Sequence, residues 1–323
     1  MKLTHLKKKD FEDILSNYNI GKYKKFKHVN FALGNTVYIL ETTKGKYVMK
    51  IFERAKLDYI KYQIKIMNFL NLKKVSVPEL VKTKNKKFLL IRNNKRILIQ
   101  KFIDGQSPKK LSEKLIIDIA NIMGLMNKHL LKLKLQGKHI WEKDHEFKHL
   151  NFKGVKTKGF DFKEEENKLL KELRKLNRKK LRRGVVHGDC HSCNLLVHND
   201  RVSAIIDWDD VHEDYLVYEI SAFMTHSFFM TPLYYGSGRF NRKQIKLFLK
   251  KYQKHVKLNQ EERKAIYYFI KQRFLQIIEW QSRQMKTHKD LTKKLKQEQF
   301  RRIRQYQFLN KISLEKFLGL FEK

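Results

Sequence analysis

Apolar residues in roughly the first hundred positions come in short β-branched or aromatic stretches, whereas beyond them they recur at helical spacing. Residues 36–41 (TVYILE), 46–52 (KYVMKIF), 87–92 (KFLLIR) and 96–102 (RILIQKF) read as strands of an antiparallel sheet, separated by turn signals at Thr43-Lys44-Gly45 and Asn93-Asn94. One helix interrupts them over residues 57–70, with Ile60, Ile64, Met67 and Leu70 on one face, and Val77-Pro78 ends that region and returns the chain to strand. After Gly105 the period changes. Ser112 caps a long helix whose stripe is Leu115, Ile119, Ile122, Met126 and Leu130, and residues 164–181 and 260–283 read as further amphipathic helices. Residues 197–207 read as a hairpin turning at Asn199-Asp200. The pattern predicts an α+β chain with a small β-rich lobe over residues 1–102 and a larger, mainly helical lobe over 103–323.

Composition narrows the function classes. A chain of 323 residues with 41% hydrophobic content can bury one large or two smaller cores, which excludes a disordered tail. The formal net charge of +39 would ordinarily suggest nucleic acid or an anionic membrane surface. Lysine is instead spread along almost every segment, and no helix-turn-helix, zinc-finger or RNA-binding signature accompanies it, so a solvated basic surface is expected and no specific nucleic acid. No run approaches the roughly 18 apolar residues that a membrane span needs. The two cysteines, Cys190 and Cys193, are too close in sequence to staple a domain, which fits a reducing cytoplasm.

The chemistry is concentrated in Val186-His187-Gly188-Asp189-Cys190-His191-Ser192-Cys193-Asn194 and, after the hairpin, Ile205-Ile206-Asp207-Trp208-Asp209-Asp210. Phosphoryl transfer needs one carboxylate to orient a hydroxyl and hard oxygen ligands to hold Mg²⁺ against nucleotide phosphates. An Asp with an Asn five residues later, then a second Asp closing a hydrophobic strand, supplies that set at the spacing of a kinase catalytic loop and metal strand. The chain therefore reads as an ATP-dependent kinase using Mg²⁺.

These two segments resemble the aminoglycoside phosphotransferase and choline kinase-like superfamily, whose loop reads His-Gly-Asp-x-His-x-x-Asn and whose metal strand reads Ile-Asp-Trp or Ile-Asp-Phe. The resemblance implies a bilobal protein-kinase-like fold, Asp189 as catalytic base, Asn194 and Asp207 as Mg²⁺ ligands, His187 and His191 as loop braces, and Glu219 as a loop anchor from the following helix. Lys50, set in the otherwise apolar strand Tyr47-Val48-Met49-Lys50-Ile51, becomes the nucleotide clamp, because a charge there needs a partner. Gly34, Asn35 and Thr36 lie in the segment 31–36, where a phosphate-covering loop is expected. Its Asn-Thr pair resembles type II homoserine kinases more than the Gly-rich loop of protein kinases. Residues 99–103, with Gln100 and Phe102, resemble the adenine-binding hinge.

The helix position that should carry a glutamate for Lys50 holds Gln63, leaving Gln63 or Asp58 as its partner. Only eleven residues separate Asp207 from Glu219, too few for a protein-kinase activation segment, so the acceptor is a small-molecule hydroxyl: homoserine-like, amino-alcohol, sugar or aminoglycoside. Asp209 or Asp210 could approach a cationic substrate. Phe223, Phe228, Phe229, Tyr234 and Tyr235 are candidate pocket residues, with core packing the competing role. A zinc site from His187, Cys190, His191 and Cys193 is a weaker alternative because the four crowd into seven residues. A pseudokinase or spore-coat-like binding protein, and a basic RNA- or membrane-associated protein, are the rival classes.

Overall fold

The computed structural model describes residues 4–29, 34–135, 148–150, 152, 159–230, 241–287 and 292–322. Tyr234 and Tyr235, and positions 31–33 of the expected phosphate loop, lie outside them.

The first lobe is a five-stranded antiparallel sheet in the order β1-β2-β3-β5-β4, formed by β1 (Tyr23–His28), β2 (Thr36–Thr42), β3 (Gly45–Phe52), β4 (Leu89–Arg92) and β5 (Lys95–Lys101). Side chains alternate across a strand. Met49 and Ile51 of β3 join Tyr38, Leu40, Ile97 and Ile99 in a core with Phe11, Ile14 and Leu15 of helix α1 (Lys8–Leu15). Lys50 and Phe52, on the other face, turn toward helix α2 (Leu57–Leu72), and Phe52 packs in the second core. The alternation of β3 is thus what aims Lys50 into the space between the lobes. Val77-Pro78 leads not into a strand but into backbone pairing along β5: Val81 N–H donates to Ile99 O at 2.8 Å and Lys101 N–H to Glu79 O at 2.9 Å.

The second lobe contains α3 (Glu113–Leu130), α4 (Phe162–Arg174), α5 (Leu216–Met224), α6 (Arg242–Tyr252), α7 (Gln260–Thr287), α8 (Thr292–Asn310) and α9 (Leu314–Leu318). The Ser112 side chain caps α3 by accepting from Leu115 N–H at 3.1 Å. Met123 replaces Ile122 in the buried stripe of α3, and α4 ends at Arg174, with a 3₁₀ turn at Arg178–Lys180, where the sequence pattern predicts one helix to 181. Phe223, Phe228 and Phe229 are core residues; Phe223 stacks on Phe248 at 4.8 Å.

Four short strands hold the segments 187–194 and 205–210 in place. β6 (Arg183–Val186) pairs antiparallel with β9 (His212–Tyr215), and between them β7 (Leu195–His198) and β8 (Arg201–Ile205) form the hairpin, whose Asn199 and Asp200 take φ of 50° and 57°. Because Val186 faces His212, the segment leaving β6 at His187 lies beside the segment entering β9 at Asp210. Ile206 N–H donates to Asn194 O at 2.9 Å, tying the far ends together.

The linker between the lobes docks on the same hairpin. Gln106 and Val197 exchange backbone hydrogen bonds of 3.1 and 2.9 Å, and Gly105 beside them has φ of +149°. A Cβ on Gly105 would lie 3.0 Å from Val197 N and 3.1 Å from Leu196 Cβ. Gly105→Ala is expected to destabilise by about 1–3 kcal/mol through strain and a loosened linker, read as a lowered urea midpoint; an unchanged midpoint would show that the linker tolerates a side chain.

Candidate active site

The catalytic-loop candidate is fixed from below by one buried carboxylate. Glu219 of α5 is fully buried and accepts hydrogen bonds from His187 N–H at 2.6 Å and Gly188 N–H at 3.1 Å. Burial pushes its carboxyl up to about 7, against the two backbone donors that favour the ionised form. Gly188 has φ of +84°, and a Cβ there would sit 2.3 Å from Asp210 O, so close approach of the two segments requires glycine. His187 is also fully buried and packs 4.5 Å from the Trp208 ring. Burial lowers it to about 4, so it is neutral: Nε2–H donates to Ile206 O at 3.0 Å and Nδ1 accepts from Asp189 N–H at 3.3 Å.

That frame presents Asp189 between two basic groups. Arg273 of α7 donates through Nη2 to Asp189 Oδ1 at 2.7 Å, and His191 Nε2 lies 3.3 Å from Oδ2. Burial alone would raise the carboxyl, but His191 and Arg273 outweigh it and hold Asp189 well below the usual carboxylate range. Burial likewise works against a charge on His191, yet the Asp189 carboxylate raises it to about 9. His191 stacks on His226 at 4.6 Å. Asn194 donates to Asp189 O at 2.9 Å, an orientation that fixes its amide and leaves its carbonyl oxygen as the acceptor atom.

Across the cleft, several side chains of the first lobe converge on Asp209. Lys50 Nζ lies 2.5 Å from Asp209 Oδ1 and 3.6 Å from Asp207 Oδ1. Gln63 of α2 donates to the same Asp209 oxygen at 3.2 Å, Asn35 donates to Oδ2 at 2.7 Å, and Tyr59 donates to the Asp209 backbone carbonyl at 2.5 Å. Burial opposes ionisation of Asp209, but Lys50 and these donors hold its carboxyl below its ordinary value. Neither expected partner pairs with Lys50 directly. Asp58 is exposed in the first turn of α2, and Gln63 reaches Lys50 only through Asp209. Gln63 has an amide donor where glutamate would put a second negative charge beside Asp209, so the carboxylate that balances Lys50 comes from the hairpin loop instead.

The other expected nucleotide residues are placed unequally. A Cβ on Gly34 would meet nothing within 4 Å, so its backbone is open to an approaching group. Asn35 is fixed by Glu53 N–H and by Asp209. Thr36 is fully buried, with its hydroxyl held by Glu53 Oε1 and Thr4 N–H, so any contact it makes with a nucleotide would come from its backbone. Gln100 lies in register with Val48 within the sheet, and Phe102 uses its N–H on Lys46 O at 3.2 Å, so that hinge donor is already engaged.

Sequence reading missed Arg273 and did not see that Asp209 would balance Lys50. Arg273 had one local signal, a charge inside the apolar run Tyr267-Tyr268-Phe269-Ile270…Phe274-Leu275, where an unpaired arginine would be costly. The zinc alternative is corrected: Cys190 is buried while Cys193 is exposed, and among the described residues no group of three or more His, Cys, Asp or Glu side chains could hold a metal ion. The oxygen set of Asn194 and Asp207 does fit Mg²⁺, which is held through few protein ligands and completes its shell with water and phosphate. Asp207 supplies a half-exposed carboxylate at φ 63°, adjacent to Lys50.

Comparison with known proteins identifies the family and the fold. A homoserine kinase of Nitrobacter hamburgensis is 24% identical over 258 residues, 73% of this chain and 75% of that protein. An aminopropanol kinase associated with a microcompartment superposes with a TM-score of 0.75 at 14% identity, covering 97% of this chain and 99% of that one. An amicoumacin kinase solved with AMP-PNP, Ca²⁺ and Ami superposes with a TM-score of 0.72 at 16% identity, covering 95% and 94%. The fold is that of these two-lobed, protein-kinase-like enzymes. The family model described as the phosphotransferase enzyme family APH matches residues 27–235, more than half of the chain, and the chain belongs to that family.

Proposed function

We propose that this chain is an ATP-dependent small-molecule kinase that transfers the γ-phosphoryl group to a hydroxyl, with residues 1–102 as the nucleotide-binding lobe and 103–323 as the catalytic and acceptor lobe. The observation that carries the reading is the convergence of Asp189, Asn194 and Asp207 from one loop and hairpin, opposite Lys50 of β3. The relatives with the name homoserine kinase make a homoserine-like acceptor the first to test, ahead of amino-alcohols, sugars and aminoglycosides. Cys190 and Cys193 as free thiols support a reducing, cytoplasmic setting. Asp189, Asn194 and Asp207 all being present favours an enzyme over a pseudokinase.

In this reading ATP lies between the lobes, with Lys50 and the open backbone at Gly34 against its phosphates. Mg²⁺, held by Asn194 and Asp207, would neutralise phosphate charge. Asp189 is kept ionised by Arg273 and His191, which makes it a weak base suited to orienting the acceptor hydroxyl rather than removing its proton early. That suits phosphoryl transfer, where bonding to the nucleophile develops late and positioning dominates. Glu219, His187 and Gly188 keep the loop in register while this happens.

Asp189→Asn is expected to lower turnover by roughly 10²-fold or more while leaving nucleotide affinity within a few-fold, measured as ATP-dependent phosphorylation across the hydroxyl panel. Turnover within a few-fold of the parent would remove Asp189 from this role.

The Lys50 counter-ion gives a second test. Asp209→Asn should raise the KM for ATP by about tenfold, and adding Gln63→Glu should recover part of that loss by returning a carboxylate from α2. Additive losses in the double variant would contradict the exchange.

His187 gives a pH signature. Its folded value is depressed from the ordinary range to about 4, so its contribution is complete above about 6.5 and is lost as pH falls toward 4. The stability difference between wild type and His187→Gln should therefore shrink by up to ~1.4 kcal/mol per pH unit across that window in urea titrations. A pH-independent difference would show that His187 is not buried neutral.

A further inference from the structure

Arg273 is placed to do more than neutralise Asp189. It projects from α7 to the aspartate expected to receive the acceptor hydroxyl, and its side chain is only 16% exposed. Nη2 donates to Asp189 Oδ1 at 2.7 Å and Nη1 to the Tyr218 hydroxyl at 2.9 Å. A guanidinium has five N–H donors, and here Nε is buried with no partner among the described residues. Buried donors of this kind are rare in a finished site and mark a place where a partner belongs.

The charges around it have a definite order. Asp210 carries a carboxylate with no hydrogen bond or ion pair among the described residues, and it lies close enough to act electrostatically on both Asp189 and Arg273. Asp209, the other acid singled out beside it, is already engaged by Lys50, Gln63 and Asn35. A hydroxyl that reaches Asp189 therefore has two cations, Arg273 and the protonated His191, and one unengaged anion, Asp210, within its surroundings. A polycationic acceptor would bring ammonium groups against the guanidinium. A neutral sugar would leave the Arg273 Nε–H and the Asp210 carboxylate unanswered in a partly dry site, which is unfavourable. A molecule carrying a hydroxyl, a carboxylate and an ammonium answers all three groups.

We infer that Arg273 is the specificity residue that reads the carboxylate of the acceptor, with Asp210 facing its ammonium, so that the substrate class is a hydroxy amino acid. This rests on the kinase reading above. Arg273 keeps its Nε–H unengaged beside the Nη groups that hold Asp189 and Tyr218, so a carboxylate would meet a guanidinium donor that lysine does not supply. A site built around such a pairing discriminates strongly against an analogue that lacks the group, because its buried partner is then left unpaired.

The test uses a matched pair of acceptors, L-homoserine and 3-aminopropan-1-ol, which differ by the carboxylate alone, with ATP and Mg²⁺ as co-substrates. Wild type is expected to prefer homoserine by about 10²-fold or more in kcat/KM. Arg273→Gln should reduce the homoserine to aminopropanol ratio at least about 30-fold, mainly through the homoserine KM, whatever loss the two acceptors share. Arg273→Lys should restore part of the ratio and stands in for the glutamine variant if that one fails to fold. An equal loss for both acceptors would mean that Arg273 acts only through Asp189 and would overturn the inference. Equal use of the two acceptors by wild type would overturn it while leaving the kinase reading intact. No transfer to either, or to any other hydroxyl in the panel, would overturn both.

Discussion

A partly buried carboxylate stays ionised only if neighbouring charges and donors replace the water it has lost, and Asp209 obtains those neighbours from the opposite lobe. Lys50 from β3, Gln63 from α2 and Asn35 from the start of β2 meet its two oxygens, and Tyr59 meets its carbonyl. None of these contacts would survive if the lobes moved apart. The aspartate thus closes the cleft and sets the distance from Lys50 to Asp207. Phosphoryl transfer depends more on such positioning than on covalent chemistry, so this interaction matters well beyond its own energy.

The second lobe holds its half of the site through backbone geometry. Glu219 gathers two N–H groups from the chain leaving β6, Gly188 lets that chain pass within contact of Asp210, and Asp207 turns out of β8 in a left-handed conformation. Each feature is costly alone: a buried acid, a glycine in a loop, an aspartate at φ 63°. Together they place the Asp189 carboxylate, the Asn194 amide oxygen and the Asp207 carboxylate on one small surface. The pairing of β6 with β9 makes that surface reproducible, because a one-residue slip would move every group in it.

Much of this was legible in the sequence where local rules carry the information. The close spacing of Asp189, Asn194 and Asp207, the Asn199-Asp200 turn, the Ser112 cap and the apolar strand that carries Lys50 all follow from nearest-neighbour chemistry. What escaped is long-range or lacks a pattern. β1 is an edge strand, YKKFKH, whose residues are exposed or half-buried, so it shows no alternation to detect, and its lysines are what keeps such an edge from pairing with other chains. The partners of the Thr36 hydroxyl, Glu53 and Thr4, are both distant in sequence. Arg273 lies 84 residues from Asp189, and no spacing rule connects them.

The central claim is that the Asn194 and Asp207 oxygens, together with Lys50, form a metal-assisted nucleotide site. Calorimetric titration with AMP-PNP in the presence and absence of Mg²⁺ tests it most directly. The account predicts saturable binding that weakens at least about tenfold when Mg²⁺ is removed, with the metal dependence abolished in Asp207→Asn. Nucleotide binding that is absent, or indifferent to the metal in a folded protein, would contradict it.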